Sequence, residues 1–89
     1  MPFEVIEPSQ FTEGDMFRQD VFLEKIDAED WSRFTGKKVL VRGCGSMIIP
    51  PWAYMLITAR LQPYAKSIRY GNEHDHIVVH RTRKDENAR

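Results

Sequence analysis

The sequence predicts one small α/β domain built on a mixed sheet. Between residues 37 and 71, a β-branched run, a glycine-rich loop, an apolar stretch and a second short strand follow one another. That order is typical of a β-loop-α-β unit with two parallel strands. The 89 residues have room for one hydrophobic core, and an apolar content of 42% fits a packed chain. We therefore expect a single domain over residues 1–89, with additional N- and C-terminal strands and a short helix near 27–35.

The N-terminal third predicts three short elements. Residues 3–6 form a candidate first strand, closed by Pro8. Residues 16–23 place apolar side chains on one face at period two, which favours a strand and leaves a short helix as the alternative. Asp27 suits the N-cap of a helix, because its carboxylate accepts the free backbone N–H groups of the first turn. Gly36 is the kind of residue that ends such a helix.

The central unit predicts a strand, a loop, a helix and a second strand. The β-branched run at 38–42 leads into the loop at 43–46. Pro50-Pro51 then opens a helix over 52–62, since the missing N–H of proline costs no hydrogen bond in a first helical turn. Residues 67–71 form the second parallel strand.

The C-terminal part predicts a last strand and a polar end. Residues 76–82 read as the strand. Residues 83–89 are charged and polar, and we expect this tail to be disordered.

The central helix is apolar around most of its circumference, although a helix that packs on one face of a sheet normally has a polar, solvent-exposed side. Only Thr58, Arg60 and Gln62 are polar within it. We therefore expect a homodimer with an interface that buries Trp52, Tyr54 or Met55. The alternative is that residues 1–35 cover the helix and complete a monomer core.

Charge and segment composition exclude several classes of protein. Thirteen basic and 13 acidic residues give a net charge of zero, which excludes a protein-wide electrostatic attraction to nucleic acid or anionic lipid and leaves a local basic patch open. The N-terminus lacks the pattern of a signal peptide, and no apolar stretch is long enough to span a bilayer. One cysteine allows no internal disulfide. We expect a cytoplasmic protein with no nucleic-acid and no membrane partner.

The loop Gly43, Cys44, Gly45 and Ser46 is the first candidate ligand-binding site. It follows a parallel strand and precedes a helix, where α/β proteins tend to bind ligands and where an anion is favoured. The backbone N–H groups and the dipole at the start of the helix, which favour an anion there, also raise the thiolate fraction of Cys44. Cys44 is a candidate nucleophile, redox thiol or metal ligand, and the alternative is a packed small hydrophobe. The loop matches no nucleotide-binding motif, so we expect no nucleotide cofactor.

The histidines extend this site. His74, His76 and His80 occupy even positions, which predicts one shared face if the strand is regular. Parallel neighbours end at the same edge, so Cys44 and His74 are expected on one rim. Cys44, His74 and His76 then form a partial ligand set for zinc or iron.

Several strings resemble a bacterial family of domains of unknown function, the one numbered 2480, over roughly residues 16–84. They are Phe22-Leu23-Glu24-Lys25-Ile26-Asp27, Gly36-Lys37-Lys38-Val39, Gly43-Cys44, Pro51-Trp52-Ala53-Tyr54-Met55, Leu61-Gln62-Pro63-Tyr64-Ala65-Lys66-Ser67-Ile68 and Tyr70-Gly71.

The resemblance implies that this chain matches one half of a longer protein with two related halves. Each half of such a protein has a cysteine where Cys44 stands, and the family pattern has a further cysteine where this chain carries His74. A homodimer would then stand in for the two-half protein, and the exchange of cysteine for histidine is one that metal sites tolerate.

Three functions follow, in order of preference. The first is a homodimeric domain that binds a metal through Cys44 and His74. The second is a protein interaction module that uses the apolar helix over 51–62. The third is an enzyme with Cys44 as a thiolate nucleophile and a histidine as base. The substrate and the small-molecule ligand stay unknown.

Overall fold

A four-stranded sheet in the order β1-β2-β3-β4 organises the chain. The computed structural model describes residues 3–43 and 47–82. The elements are β1 (Glu4–Ile6), a first 3₁₀ turn (Pro8–Phe11), α1 (Gln19–Ala28), a second 3₁₀ turn (Trp31–Phe34), β2 (Lys38–Arg42), α2 (Pro51–Leu61), β3 (Ser67–Gly71) and β4 (His76–Arg81).

The sheet is mixed, as the sequence predicts. β1 pairs with β2 in parallel, with Val5 opposite Leu40. β2 pairs with β3 in parallel, with Val39 opposite Ile68, and β4 runs antiparallel to β3. The predicted β-loop-α-β unit is therefore confirmed as β2, α2 and β3. The predicted tail at 83–89 lies outside the described residues. No described helix is long and apolar enough to cross a membrane.

Two N-terminal expectations are wrong. The strand predicted over 16–23 is absent, and most of that segment belongs to the helix α1. Phe22 and Ile26 are its buried residues, and their spacing of four places both side chains on one helical face. The spacing of two residues predicted the wrong element, because apolar residues at 17, 21 and 23 fit one face of a strand as well as part of the apolar stripe of a helix.

The short helix near 27–35 exists as the second 3₁₀ turn, and its predicted cap is wrong. Asp27 lies inside the last turn of α1. Asp30 is the N-cap instead, and its carboxylate accepts a hydrogen bond from the Ser32 N–H at 3.2 Å. The reason is that α1 continues to Ala28 and leaves only a short segment before the Gly36 turn.

One hydrophobic core lies between the helices and one face of the sheet. The first 3₁₀ turn, α1 and the second 3₁₀ turn contribute an aromatic cluster, in which the rings of Phe11 and Trp31 stack at 5.6 Å. The Trp31 indole N–H donates to the Ile26 carbonyl at 3.0 Å, which satisfies its polar edge inside the core. The sheet contributes side chains from three strands, namely Ile6, Val39, Val41 and Ile68. We call this the helix-covered face and the opposite side of the sheet the open face.

α2 crosses the helix-covered face with one buried row. Ala53, Ile57 and Leu61 are fully buried and recur every four residues. Trp52 packs edge-on against Phe17 and Phe22, so the N-terminal residues cover this side of α2. The Met55 side chain, 71% exposed, points away from the core.

β4 contains a bulge that changes which way its side chains point. Val78 pairs with Arg69, whereas the next pair is His80 with Ile68. Val79 is the extra residue, and an extra residue shifts the alternation of faces by one position. His80 therefore shares the helix-covered face with Ile68, and Val78 shares the open face with Arg69.

We expect Gly71→Ala to destabilise the protein far more than Gly36→Ala. Both glycines have positive φ, 141° and 75°, but a Cβ at Gly71 would lie 2.3 Å from the Asp75 carbonyl oxygen and a Cβ at Gly36 meets nothing within 4 Å. Backbone strain predicts a loss of about 1 kcal/mol at Gly36 and, with the clash added, about 3 kcal/mol at Gly71. Urea denaturation of both variants checks this; equal losses would contradict the clash.

Candidate functional site

The carboxyl ends of the parallel strands are tied together by one arginine. Arg42, the last residue of β2, donates from Nε to Glu7 Oε2 at 2.6 Å and from Nη1 to Glu73 Oε2 at 2.6 Å. Glu7 follows β1 and Glu73 follows β3. The hydrogen bond that Arg42 donates to Glu7 is the largest cause that raises the pKa of Arg42, and the charges of both carboxylates add to it. The three strand ends are therefore joined by ionic contacts that the sequence alone does not reveal.

Two tyrosines converge beside the start of the predicted ligand loop. A Cβ built on Gly43 would lie 3.7 Å from the hydroxyl oxygens of both Tyr54 and Tyr70. Their rings meet edge-to-face at 5.3 Å. Tyr70 was missed by sequence reasoning, because nothing in its local pattern shows that β3 places it against α2. The remaining loop residues predicted to bind a ligand, Cys44, Gly45 and Ser46, lie outside the described residues.

His74 sits on an exposed turn between β3 and β4. The side-chain oxygen of Asn72 accepts the backbone N–H groups of His74 and Asp75, at 2.8 and 2.9 Å. This is the hydrogen-bond pattern of an Asx turn. Because Arg42 pairs with Gly71 at the end of the sheet, the turn that carries His74 belongs to the same rim as Gly43.

His76 is already engaged on the open face. Its Nε2 lies 3.2 Å from Arg69 Nη1, and its Nδ1 lies 3.0 Å from the Asn72 carbonyl oxygen. Since a guanidinium only donates, Nε2 accepts and Nδ1–H donates, which assigns the tautomer from its partners. The ring also contacts Phe3 edge-on at 5.2 Å. A metal ion at Nε2 would have to displace Arg69.

The expectation that the three histidines share one face is wrong. His76 lies on the open face, opposite Gly71, and His80 lies on the helix-covered face, opposite Ile68. The bulge at Val79 is the physical reason, because period two holds only in an unbroken strand. Within residues 3–43 and 47–82, no group of three His, Cys, Asp or Glu side chains could hold a metal ion.

An apolar groove of about 600 Å³ lies between α2 and β4. It exists because α2 leaves part of β3 and β4 uncovered on the helix-covered face. Its lining consists of Pro51, Tyr54, Met55, Thr58, Ala59, Gln62, Tyr70, Ile77, Val79 and His80. Among the residues that the structure describes, no Asp, Glu, Lys or Arg belongs to this lining. Of the predicted interface residues, Tyr54 and Met55 line the groove, whereas Trp52 packs on Phe17 and Phe22.

Comparison with known proteins adds a family and no activity. A family model described as a protein of unknown function (DUF2480) matches residues 5–84. No curated protein and no solved structure matches the chain.

We expect Arg42→Gln to lower the melting temperature more than Arg18→Gln. The first change leaves Glu7 and Glu73 without their shared cation, whereas Arg18 forms one exposed pair with Asp20 at 3.6 Å. The pKa of Arg42 is raised in the folded protein. The stability that its ion pairs contribute is therefore fully present below the ordinary arginine pKa and is lost only as the pH rises through the raised value. We expect the difference in melting temperature to be constant across neutral pH.

Calorimetry at low salt and at about 1 M NaCl, where the Debye length is about 3 Å, completes this test. The difference between the two variants shrinks at high salt if the three-residue contact is ionic. Equal shifts at low salt would contradict it.

Proposed function

Because the chain belongs to the DUF2480 family of proteins of unknown function, which assigns no activity, we propose that it is a self-association domain that dimerises through the α2–β4 groove. The observation that carries this proposal is the predominantly apolar lining of the groove, in which the described residues include no Asp, Glu, Lys or Arg. Its most exposed large apolar side chains are Met55 on α2, at 71%, and Ile77 on β4, at 67%. Contiguous apolar surface of this kind marks interaction sites.

A second copy of the chain is the occupant that the groove fits best. A two-fold interface requires a surface that is complementary to itself. Met55 and Ile77 present large exposed side chains at the groove, whose lining also includes the small residue Ala59. Removing these side chains from water stabilises a dimer in proportion to the apolar area buried. A second copy would also take the place of the second half that the family resemblance implies.

The geometry favours packing through the face of β4 rather than through its edge. Edge-to-edge pairing needs a regular strand, and bulges are one of the devices by which edges avoid it. The bulge at Val79 interrupts β4. The interface that we propose therefore uses side chains of the helix-covered face.

We expect Ile77→Lys to abolish the dimer and Val78→Lys to leave it intact. The two residues are neighbours on β4, but Ile77 lines the groove and Val78 shares the open face with Arg69. Burying an unpaired lysine is costly, whereas an exposed one is not. Sedimentation equilibrium at micromolar concentration measures the association of each variant.

A second matched pair uses methionines. Met55→Glu should also give a monomer, and Met16→Glu should not, since Met16 is 74% exposed and lies outside the groove. A wild-type protein that is monomeric at micromolar concentration contradicts the proposal, and so does loss of the dimer in both members of either pair.

The rim gives a second proposal, a zinc or iron site formed by Cys44, His74 and His76. Its support is that β2 and β3 end at one rim, where Gly43 precedes Cys44 and Asn72 holds the turn of His74. Cysteine and histidine are the ligands that zinc prefers. For His76 to bind the metal as well, its Nε2 must give up the hydrogen bond from Arg69.

We predict stoichiometric zinc or iron in protein purified without a His tag, and its loss in Cys44→Ala and His74→Ala. His80→Ala is the control that should keep the metal, because His80 lies on the other face of the sheet. Elemental analysis measures the content. Metal-free wild-type protein after purification without chelators would refute the site.

A further inference from the structure

Although the chain has zero net charge, four basic residues that form no ion pair with any described residue meet at one end of the sheet, which we call the basic edge. Lys37, Lys38, Lys66 and Arg81 meet where β2 and β3 begin and β4 ends. The Lys37 carbonyl accepts the Lys66 N–H at 2.9 Å, and the Lys66 carbonyl accepts the Thr82 N–H at 2.9 Å. The register places Lys38 and Arg81 on either side of Ser67.

Among the described residues, these four cations differ from five others in that no carboxylate forms an ion pair with them. In the part of the chain that the structure describes, Arg18, Lys25, Arg33, Arg42 and Arg60 all form ion pairs. None of the four cations at the basic edge does so within the same residues. Like charges brought together without counter-charges repel one another. A surface of this kind favours an anionic partner.

Ser67 provides an independent observation at the same place. The residue is 3% exposed, and its hydroxyl has no hydrogen-bond partner among the described residues. It lies on the open face, since it alternates with the core residue Ile68. A buried hydroxyl without a partner is costly. Lys38 and Arg81 flank Ser67 in the register, so an anion oxygen that displaces these two side chains would give the hydroxyl the partner that it lacks.

The open face continues this surface with groups that stack. Arg69 follows Ser67 on the same face, and its guanidinium lies 5.4 Å from the centre of the Phe3 ring. Its Nε is buried without a partner in the described structure. The His76 ring lies against the same phenyl ring. Aromatic rings and guanidinium planes beside a basic surface are the combination on which proteins stack unpaired bases.

We propose that the open face and its basic edge bind single-stranded nucleic acid, with phosphates at Lys37, Lys38, Lys66 and Arg81 and bases towards Phe3, Arg69 and His76. The four cations lie side by side where the strands begin and end, an extended arrangement that suits a polyanion better than a small anion. The proposal departs from the expectation of no nucleic-acid partner. That expectation rested on net charge, and the fold gathers four positive charges at one end of the sheet.

The test is fluorescence anisotropy with a labelled oligouridylate of about 20 nucleotides at several salt concentrations from about 50 to 200 mM. Binding should weaken with salt, with a log–log slope of about −2 to −3, since each phosphate contact to a single strand contributes about −0.7. Lys38→Glu combined with Arg81→Glu should weaken binding by about tenfold or more and flatten the slope.

The matched control is Lys25→Glu combined with Arg33→Glu. It makes the same change in net charge, but both residues are ion-paired, one on α1 and one in the second 3₁₀ turn. Circular dichroism melting shows whether each double variant is folded. An additional variant, Phe3→Leu, should weaken binding without changing the salt slope, because it removes a stacking ring and no charge.

Three outcomes would overturn the proposal. One is no anisotropy change at low salt. Another is equal weakening by both double variants, which would mean that net charge and not this edge governs binding. The last is displacement of the oligonucleotide by poly-glutamate at matched charge, which would indicate an acidic protein segment in place of nucleic acid.

Discussion

Packing of the main hydrophobic core against one side of the sheet is the constraint on which the rest of this structure depends. A chain of 89 residues builds one layer of helices, and every buried ring packs between that layer and the helix-covered face. The layer is narrower than the sheet, so it covers β1, β2 and the start of β3 and leaves β4 bare. Both candidate surfaces, the α2–β4 groove and the open face, follow from that mismatch of width.

The two surfaces differ in chemistry because the sheet alternates its side chains. On one face the strands offer Tyr70, Ile77 and His80 beside α2. On the other they offer Lys38, Ser67, Arg69 and Arg81. The bulge at Val79 decides to which of these faces the end of β4 belongs, since without it His80 and Arg81 would change places.

The rim at the carboxyl ends of the parallel strands is held by charge rather than by burial. Arg42 links Glu7 and Glu73, which lie 35 and 31 residues away in the chain. The same rim carries Gly43, with two tyrosine hydroxyls beside it, and the turn of His74. The molecule thus separates the apolar α2–β4 groove from a polar rim and a basic edge.

The sequence by itself determined the architecture: the mixed sheet, the β-loop-α-β unit of β2, α2 and β3, the excess of apolar side chains on α2, and the family. These follow from patterns that are local, such as β-branched runs, proline at a helix start and glycine in turns. Only the tertiary structure decided that residues 19–28 are helical. A helix buries Phe22 and Ile26 together against residues that are far away in the sequence. It also decided the bulge at Val79 and the partners of Arg42 and His76. Strand register and ion pairs join residues far apart in the chain, and no local pattern encodes them.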